Sequence, residues 1–317
     1  MQFHHAQVSF HFTAYFAARC PCLRRYIPCY LRASATSTTK MFPLAAPHQA
    51  SASGGSMESS SSRNPSLNKT REETHILLDT TTAISSMIDK ISGLPSMPPS
   101  IYIDLEGVNL SRQGTISIMQ IHVRPASQNY LVDIKTLGKA AFLTQGTCAL
   151  ITLKSILESP SIPKVFFDVR RDSDALYSHY GIELQGIQDL QLMELATHTH
   201  SRKFITGLKK CIEKDMPMTK TEKHNWLMTK EEGLKLFDPE KGGSYEVFNQ
   251  RPLPEKIRLY CVQDVHYLPC LWDVYNRKLT AQWKTRVQHA TEDRVAQSQA
   301  QDFDPKSPHM ARAPEGW

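Results

Sequence analysis

The chain has 317 residues, 40% of them hydrophobic and 21% charged, and a formal net charge of +6. That is apolar material for one large packed domain or two modest ones, which excludes a wholly disordered chain. No run of about 18 apolar residues occurs, so no transmembrane helix is expected, and the mild positive balance suits a polyanionic partner without requiring one.

Residues 1–73 differ from the rest. No acidic residue precedes Glu58, and Arg19, Arg24, Arg25, Arg32 and Lys40 punctuate a Ser-, Thr- and Ala-rich stretch. Arg-rich, Ser-rich and acidic-poor is the composition of an organelle transit peptide. A disordered tail, or an upstream extension with the true start at Met41 or Met57, fits the same residues. His11 interrupts the candidate apolar run of a secretory signal, and 51–66 reads as a low-complexity linker. Of the seven cysteines, Cys20, Cys22 and Cys29 lie in this leader, and Cys148, Cys211, Cys261 and Cys270 sit in apolar contexts without C-x-x-C spacing. Buried free thiols in a reducing compartment are expected, not a disulfide or zinc framework. The expected location is intracellular: cytoplasmic or nuclear, with mitochondrial as the alternative.

The folded domain is expected over 74–287. Ile76, Leu77, Ile84, Met87, Ile88 and Ile91 fall at helical spacing, which predicts a leading amphipathic helix ended by Pro95, Pro98 and Pro99. Strands are predicted over 101–106, 115–123 and 130–133. The short polar connections between them make two hairpins and an antiparallel trio. A helix over 150–157 is broken by Pro160 and Pro163. A short strand at 165–167 precedes a helix over 172–180, stopped by Gly181, and another short strand covers 187–189. The reading from 190 to 279 is mostly helical, with Pro254 in a first turn and Pro269 restarting a helix. Residues 288–317 read as a polar, frayed C-terminal tail. Three antiparallel strands followed by alternating strand and helix predict an α/β fold with helices on both faces of a mixed sheet.

The chemistry begins at Asp104-Leu105-Glu106. On a strand, alternate side chains share a face, so Asp104 and Glu106 project together while Ile101, Ile103 and Leu105 fill the other side. Two adjacent carboxylates repel unless a cation lies between them, and a divalent metal is the natural candidate. A second group, Asp168, Asp172 and Asp174 around Arg170 and Arg171, stands at a strand-to-helix junction, where α/β sites form. Asp is also a favoured N-cap, so one of the three is expected to cap the helix. Third, Tyr260 and Asp264 are four apart, hence on one helix face, although Tyr-x-x-x-Asp alone is a common pattern. A basic run, Arg202, Lys203, Lys209, Lys210, Lys214, Lys220 and Lys223, is either a solvated helix face or a patch that tracks phosphates.

Taken in order, these motifs resemble the DEDDy branch of the 3′–5′ exonucleases, the group containing ribonuclease D and the Werner-type exonuclease domain. The likeness is nearer still to the Egalitarian-like exonuclease-domain proteins. Asp104-Leu105-Glu106-Gly107-Val108-Asn109-Leu110, the stretch 168–176, Tyr260-Cys261-Val262-Gln263-Asp264-Val265 and Arg251-Pro252-Leu253 carry it, over about 76–284. The chain departs from the family in having Phe167-Asp168-Val169 where His-Asp-Cys is common. Gly107 stands where ribonuclease D has Thr.

The resemblance implies a ribonuclease H-like fold. It implies Asp104, Glu106, Asp172 and Asp264 as ligands of two divalent metal ions, Mg²⁺ or Mn²⁺, with Tyr260 orienting the attacking water. Asp172 and Asp174 cannot share a helix face, so one of them is the ligand, and Asp172 is chosen because it lies nine residues before Gly181. The implied partner is a single-stranded nucleic acid 3′ end, RNA or DNA. Such hydrolysis suits hard cations held by carboxylates, which activate water and stabilise the leaving oxygen. With an ordinary pKa near 10, Tyr260 would position that water and not deprotonate it. The alternatives are a catalytically inactive nucleic-acid-binding or dimerisation module with the same fold, and an α/β protein whose acids are surface and capping residues.

Overall fold

A computed structural model of the chain describes residues 75–199 and 201–317. The leader and its transit-peptide expectation lie outside the described residues. β1 (His75–Leu78) comes first, then α1 (Thr81–Ile91), β2 (Ile101–Glu106), β3 (Ile118–Val123) and β4 (Gln128–Val132). Three short helices follow, α2 (Ile134–Leu137), α3 (Ala140–Leu143) and α4 (Leu153–Leu157). After β5 (Lys164–Phe166), α5 (Arg170–Tyr180), β6 (Ile187–Asp189) and α6 (Leu190–Ala196), the chain is helical. Those last helices are α7 (Leu208–Asp215), α8 (Lys220–Phe237), α9 (Glu255–His266), α10 (Leu268–Lys278) and α11 (Ala281–Gln299).

The six strands form one sheet in the order β1-β4-β3-β2-β5-β6. The β2–β3 and β3–β4 pairs are antiparallel, as the hairpin spacing predicted. The β2–β5, β5–β6 and β1–β4 pairs are parallel. The β1 strand corrects the expectation of a helix from Ile76: Ile76 pairs with Tyr130 and Leu77 with Leu131. A four-residue apolar run carries no periodicity that separates strand from helix, and only the open edge of β4 decides it. The helix starts later, capped by the Thr80 hydroxyl, which accepts from Ala83 N at 3.2 Å.

The second strand also starts later than 115. Residues 107–117 fold into a tight loop, closed by Thr115 N donating to Val108 O at 2.9 Å. A Cβ on Gly107 would lie 2.0 Å from Thr115 O, so the residue after the carboxylate pair has no room for a side chain.

The alternation read for β2 holds. Ile101, Ile103 and Leu105 enter a core with Ile84, Met87 and Ile88 of α1 and Ala175 and Leu176 of α5. On the opposite face, Ile118 and Leu131 pack against Ile257, Cys261 and Val262 of α9. Helix α9 therefore lies across the face that carries Asp104 and Glu106, fixed there by apolar burial worth roughly 1.5–3 kcal/mol per large side chain.

The C-terminal segment was expected as a frayed tail from 288, and it is not one. Residues 288–299 are the second half of α11. Arg294, 4% exposed, reaches Asp189 Oδ2 at 2.7 Å and Gln191 Oε1 at 3.0 Å. The chain beyond α11 supplies carbonyl acceptors to three arginines: Arg112 donates to Ala300 and Gln301, Arg170 to Met310 and Arg171 to Pro305. Polar residues alone gave no sign of this, because the buried contacts lie far away in sequence. No helix among the described residues is long and apolar enough to cross a membrane. Cys211, Cys261 and Cys270 are free thiols, of which Cys211 and Cys261 are buried, and Cys148 is exposed.

Removing one partner of a buried ion pair leaves the other charge uncompensated, at a cost of roughly 3–5 kcal/mol. Arg294→Met should therefore lower Tm by about 10 °C in a domain of this size. An unchanged melting curve would show that α11 does not hold the β6 end of the sheet.

Candidate active site

The C-terminal end of β2, the start of α5 and the second half of α9 converge. One oxygen each of Asp104, Glu106 and Asp264 lies within 4.8 Å of the other two. Asp104 and Glu106 are half-buried, and Asp264 is 5% exposed. The sheet face and the helix face read separately from the sequence are thus brought together. The expectation that Tyr260 and Asp264 share a face also holds, because a single ammonium contacts both.

Asp172 is 5% exposed and lies in the first turn of α5. It is outside the 4.8 Å trio but close enough to feel it: burial, then the charges of Asp104 and Asp168, push its carboxyl well above the usual range. Its Oδ1 is buried without a hydrogen-bond partner. Asp174 differs in kind. It is fully buried, accepts from Arg112 N at 2.8 Å and pairs with Arg112 Nε at 2.6 Å. Between the two second-motif acids, Asp174 is neutralised and Asp172 is left open.

None of the three aspartates caps α5, contrary to expectation. The N-cap is Val169, without a side-chain cap. The N–H groups of Asp168 and Val169 donate instead to Asp189, at 3.1 and 3.3 Å. Asp168 has φ 63°, and its carboxylate is clamped by Arg170 at 2.6 Å. The left-handed Asp168 thus precedes the N-cap position and spends its carboxylate on Arg170. This junction is where the chain reads Phe167-Asp168-Val169.

Sequence reasoning missed Lys230. Its Nζ reaches in from α8 to Asp264 Oδ1 at 2.6 Å and Oδ2 at 2.9 Å. It also donates to the Tyr260 hydroxyl at 3.0 Å and lies 4.1 Å from that ring's centroid. The signal was Gly233, one turn further along α8. A glycine in a helix interior costs about 1 kcal/mol against alanine, so it points to a close approach. A Cβ there would come within 2.4 Å of the Tyr260 ring.

The electrostatics follow from crowding. Burial, then the Asp264 charge, raise the Asp104 carboxyl to about 7. Burial and Asp104 raise Glu106 well above its ordinary value. Burial and the neighbouring carboxylates push the Tyr260 phenol up, away from any role as a base. Lysine only donates, so the Tyr260 oxygen accepts from it and keeps its own proton for another partner. The basic run is divided. Lys223 is spent on Glu213 O at 3.1 Å, Lys209 stands 3.6 Å from Glu231, and Arg202 lies 4.4 Å above the Trp283 ring. Lys203, Lys210, Lys214 and Lys220 remain exposed.

A mixed sheet with carboxylates at the end of its central strand, crossed by a helix that adds a further acid, is a ribonuclease H-like arrangement. Residues 76–280 match the 3′-5′ exonuclease family, and the chain belongs to that family. It is similar to Trypanosoma brucei RNase D solved with GMP, with a TM-score of 0.59 and 22% identity over 75% of this chain and 68% of that one. The same enzyme solved with RNA gives 0.59 and 20% over 76% of each chain. Among curated proteins, the mouse piRNA biogenesis protein EXD1 is 38% identical over 90 residues, which is 28% of this chain and 14% of that protein.

The raised carboxyl predicts a pH-dependent stability. The folded pKa of Asp104 lies above its unfolded value, so the folded state keeps the extra proton and stability falls as pH rises from about 4 to about 7. Without divalent metal, Asp104→Asn should raise Tm by roughly 2–6 °C at pH 8 and change it little at pH 4. Equal shifts at both pH values would show that the carboxyl is not perturbed.

Proposed function

We propose that this protein is a 3′–5′ exonuclease that hydrolyses phosphodiester bonds of single-stranded nucleic acid from its 3′ end. Two divalent ions, Mg²⁺ or Mn²⁺, would be held by Asp104, Glu106, Asp172 and Asp264. The observation that carries this reading is the open Asp172 carboxylate, buried with an unpartnered oxygen beside three crowded acids. The donor set is all carboxylate oxygen, which suits hard divalent cations. The Lys230 ammonium, already in contact with Asp264, marks the place where positive charge is stabilised. Bound there, the ions would activate the attacking water and stabilise the leaving 3′ oxygen.

In the reaction, a water oxygen bonds to phosphorus as the P–O3′ bond breaks. The products are a nucleoside 5′-monophosphate and a strand one residue shorter with a free 3′-hydroxyl. The proton lost by the water is balanced by the proton gained at the 3′ oxygen. Tyr260 orients that water by a hydrogen bond, its ring held between Gly233 and Lys230. The GMP in the Trypanosoma brucei RNase D structure belongs to the product class this reaction releases. Exposed Lys203, Lys210, Lys214 and Lys220 are the residues of the basic run left to meet backbone phosphates.

A 5′-labelled single-stranded oligonucleotide with Mg²⁺ or Mn²⁺ tests the reading, run on matched RNA and DNA. Wild type should shorten it stepwise, and Asp104→Ala should lose roughly 10³-fold or more, the scale of removing a preorganised electrostatic group. No trimming by wild type would leave a catalytically inactive nucleic-acid-binding or dimerisation module as the description, and equal trimming by Asp104→Ala would show that the activity does not come from this site.

The two second-motif acids should separate cleanly. Asp172→Asn should abolish trimming while the protein stays folded. Asp174→Asn should lower Tm by breaking the Arg112 pair, with trimming per folded molecule kept within about threefold. The reverse pattern would move the ligand role to Asp174.

A further inference from the structure

We propose that Lys230 is the resident counter-ion of the site. It holds Asp264 and Tyr260 in place while no divalent ion is bound, competes with that ion for Asp264, and turns to the substrate phosphate once Asp264 is taken. The inference rests on the metal-dependent reading above and adds a positioning residue that the carboxylate motifs do not contain.

The geometry is that of an occupant and not of a lattice of surface ion pairs. Both Asp264 oxygens and the Tyr260 hydroxyl face one nitrogen, at 2.6, 2.9 and 3.0 Å. The lysine side chain is 12% exposed and Asp264 6%, so the pair is shielded from the solvent that weakens exposed ion pairs. A carboxylate with both oxygens engaged by an ammonium has few lone pairs left for a divalent ion, and two adjacent cations repel. The ammonium and the ion therefore exclude each other at Asp264.

The pair is not needed to anchor α9. Ile257, Cys261, Val262 and Val265 are fully buried along that helix and do so already. What the fold does provide is access: Gly233 lets α8 approach α9 closely enough for a lysine one turn earlier to enter the site. Lysine suits an occupant that must leave, being a point charge on a flexible four-carbon stem, whereas arginine would lock onto the carboxylate as a planar fork.

The test is calorimetric titration of the full chain with Mn²⁺, for wild type, Lys230→Met, Lys230→Gln and Lys230→Arg, beside the oligonucleotide assay. Removing the competing charge should tighten Mn²⁺ binding about tenfold or more in the Met and Gln variants, while turnover falls roughly 10²-fold. Lys230→Arg should show no tightening. Opposite signs in affinity and turnover are not what a merely structural pair produces. If Lys230→Met fails to fold, Lys230→Gln carries the comparison. Wild type that binds Mn²⁺ with both neutral variants binding no tighter overturns this proposal and leaves the exonuclease reading standing. Wild type that takes up no Mn²⁺ overturns that reading, and this proposal with it.

Discussion

Repulsion between carboxylates held close together away from bulk water is the constraint around which this molecule is organised. Two unit charges about 4 Å apart repel by roughly 4 kcal/mol at an effective dielectric of 20. Asp104, Glu106 and Asp264 stand at about that spacing, and Asp172 adds its field from the start of α5. No local preference would assemble them. The apolar faces assemble them: β2 is tied into the sheet by β3 and β5, and α9 is pressed on that sheet by its own buried side chains. The carboxylates are carried into contact by elements whose stability lies elsewhere.

The fold then decides which acids are clamped and which stay open. Asp168 is clamped by Arg170, Asp174 by Arg112, Asp189 by Arg294 and Asp133 by Arg251, each at 2.6 or 2.7 Å. Asp172 has no arginine, and one of its oxygens has no partner at all. Which acids of the second motif are paired and which is open thus follows from where the arginines are. Three of those arginines depend on the C-terminal region, Arg170 through its bond to the Met310 carbonyl. Arg294 comes from α11, and Arg112 is steadied by the carbonyls of Ser298 and Ala300. A segment that reads as a polar tail sets the charge pattern of the second motif.

Much of the site was legible because its signals are local. Period-two alternation placed Asp104 and Glu106 on one face of β2, and a spacing of four placed Tyr260 and Asp264 on one face of α9. The antiparallel trio followed from short polar connections. What escaped was set by partners distant in sequence. β1 became a strand through β4. Residues 288–299 became a packed helix through β6 and α5. The junction before α5 is held by Asp189 from the next strand, and Val169 stands at the N-cap. Lys230 sits on a helix with no other site residue, and Gly233 was its only local mark.

By itself the sequence determined the mixed α/β sheet, the order of its central strands and which carboxylates share a face, because strand and helix periods follow from backbone geometry. Only the tertiary structure paired Asp174 with an arginine and left Asp172 open, turned the C-terminal segment into a packed helix beside the sheet and put an ammonium on Asp264. Those outcomes depend on which charges meet across the folded chain. Coulomb and desolvation energies are functions of distance in space, and the spacing of residues along a sequence does not contain them.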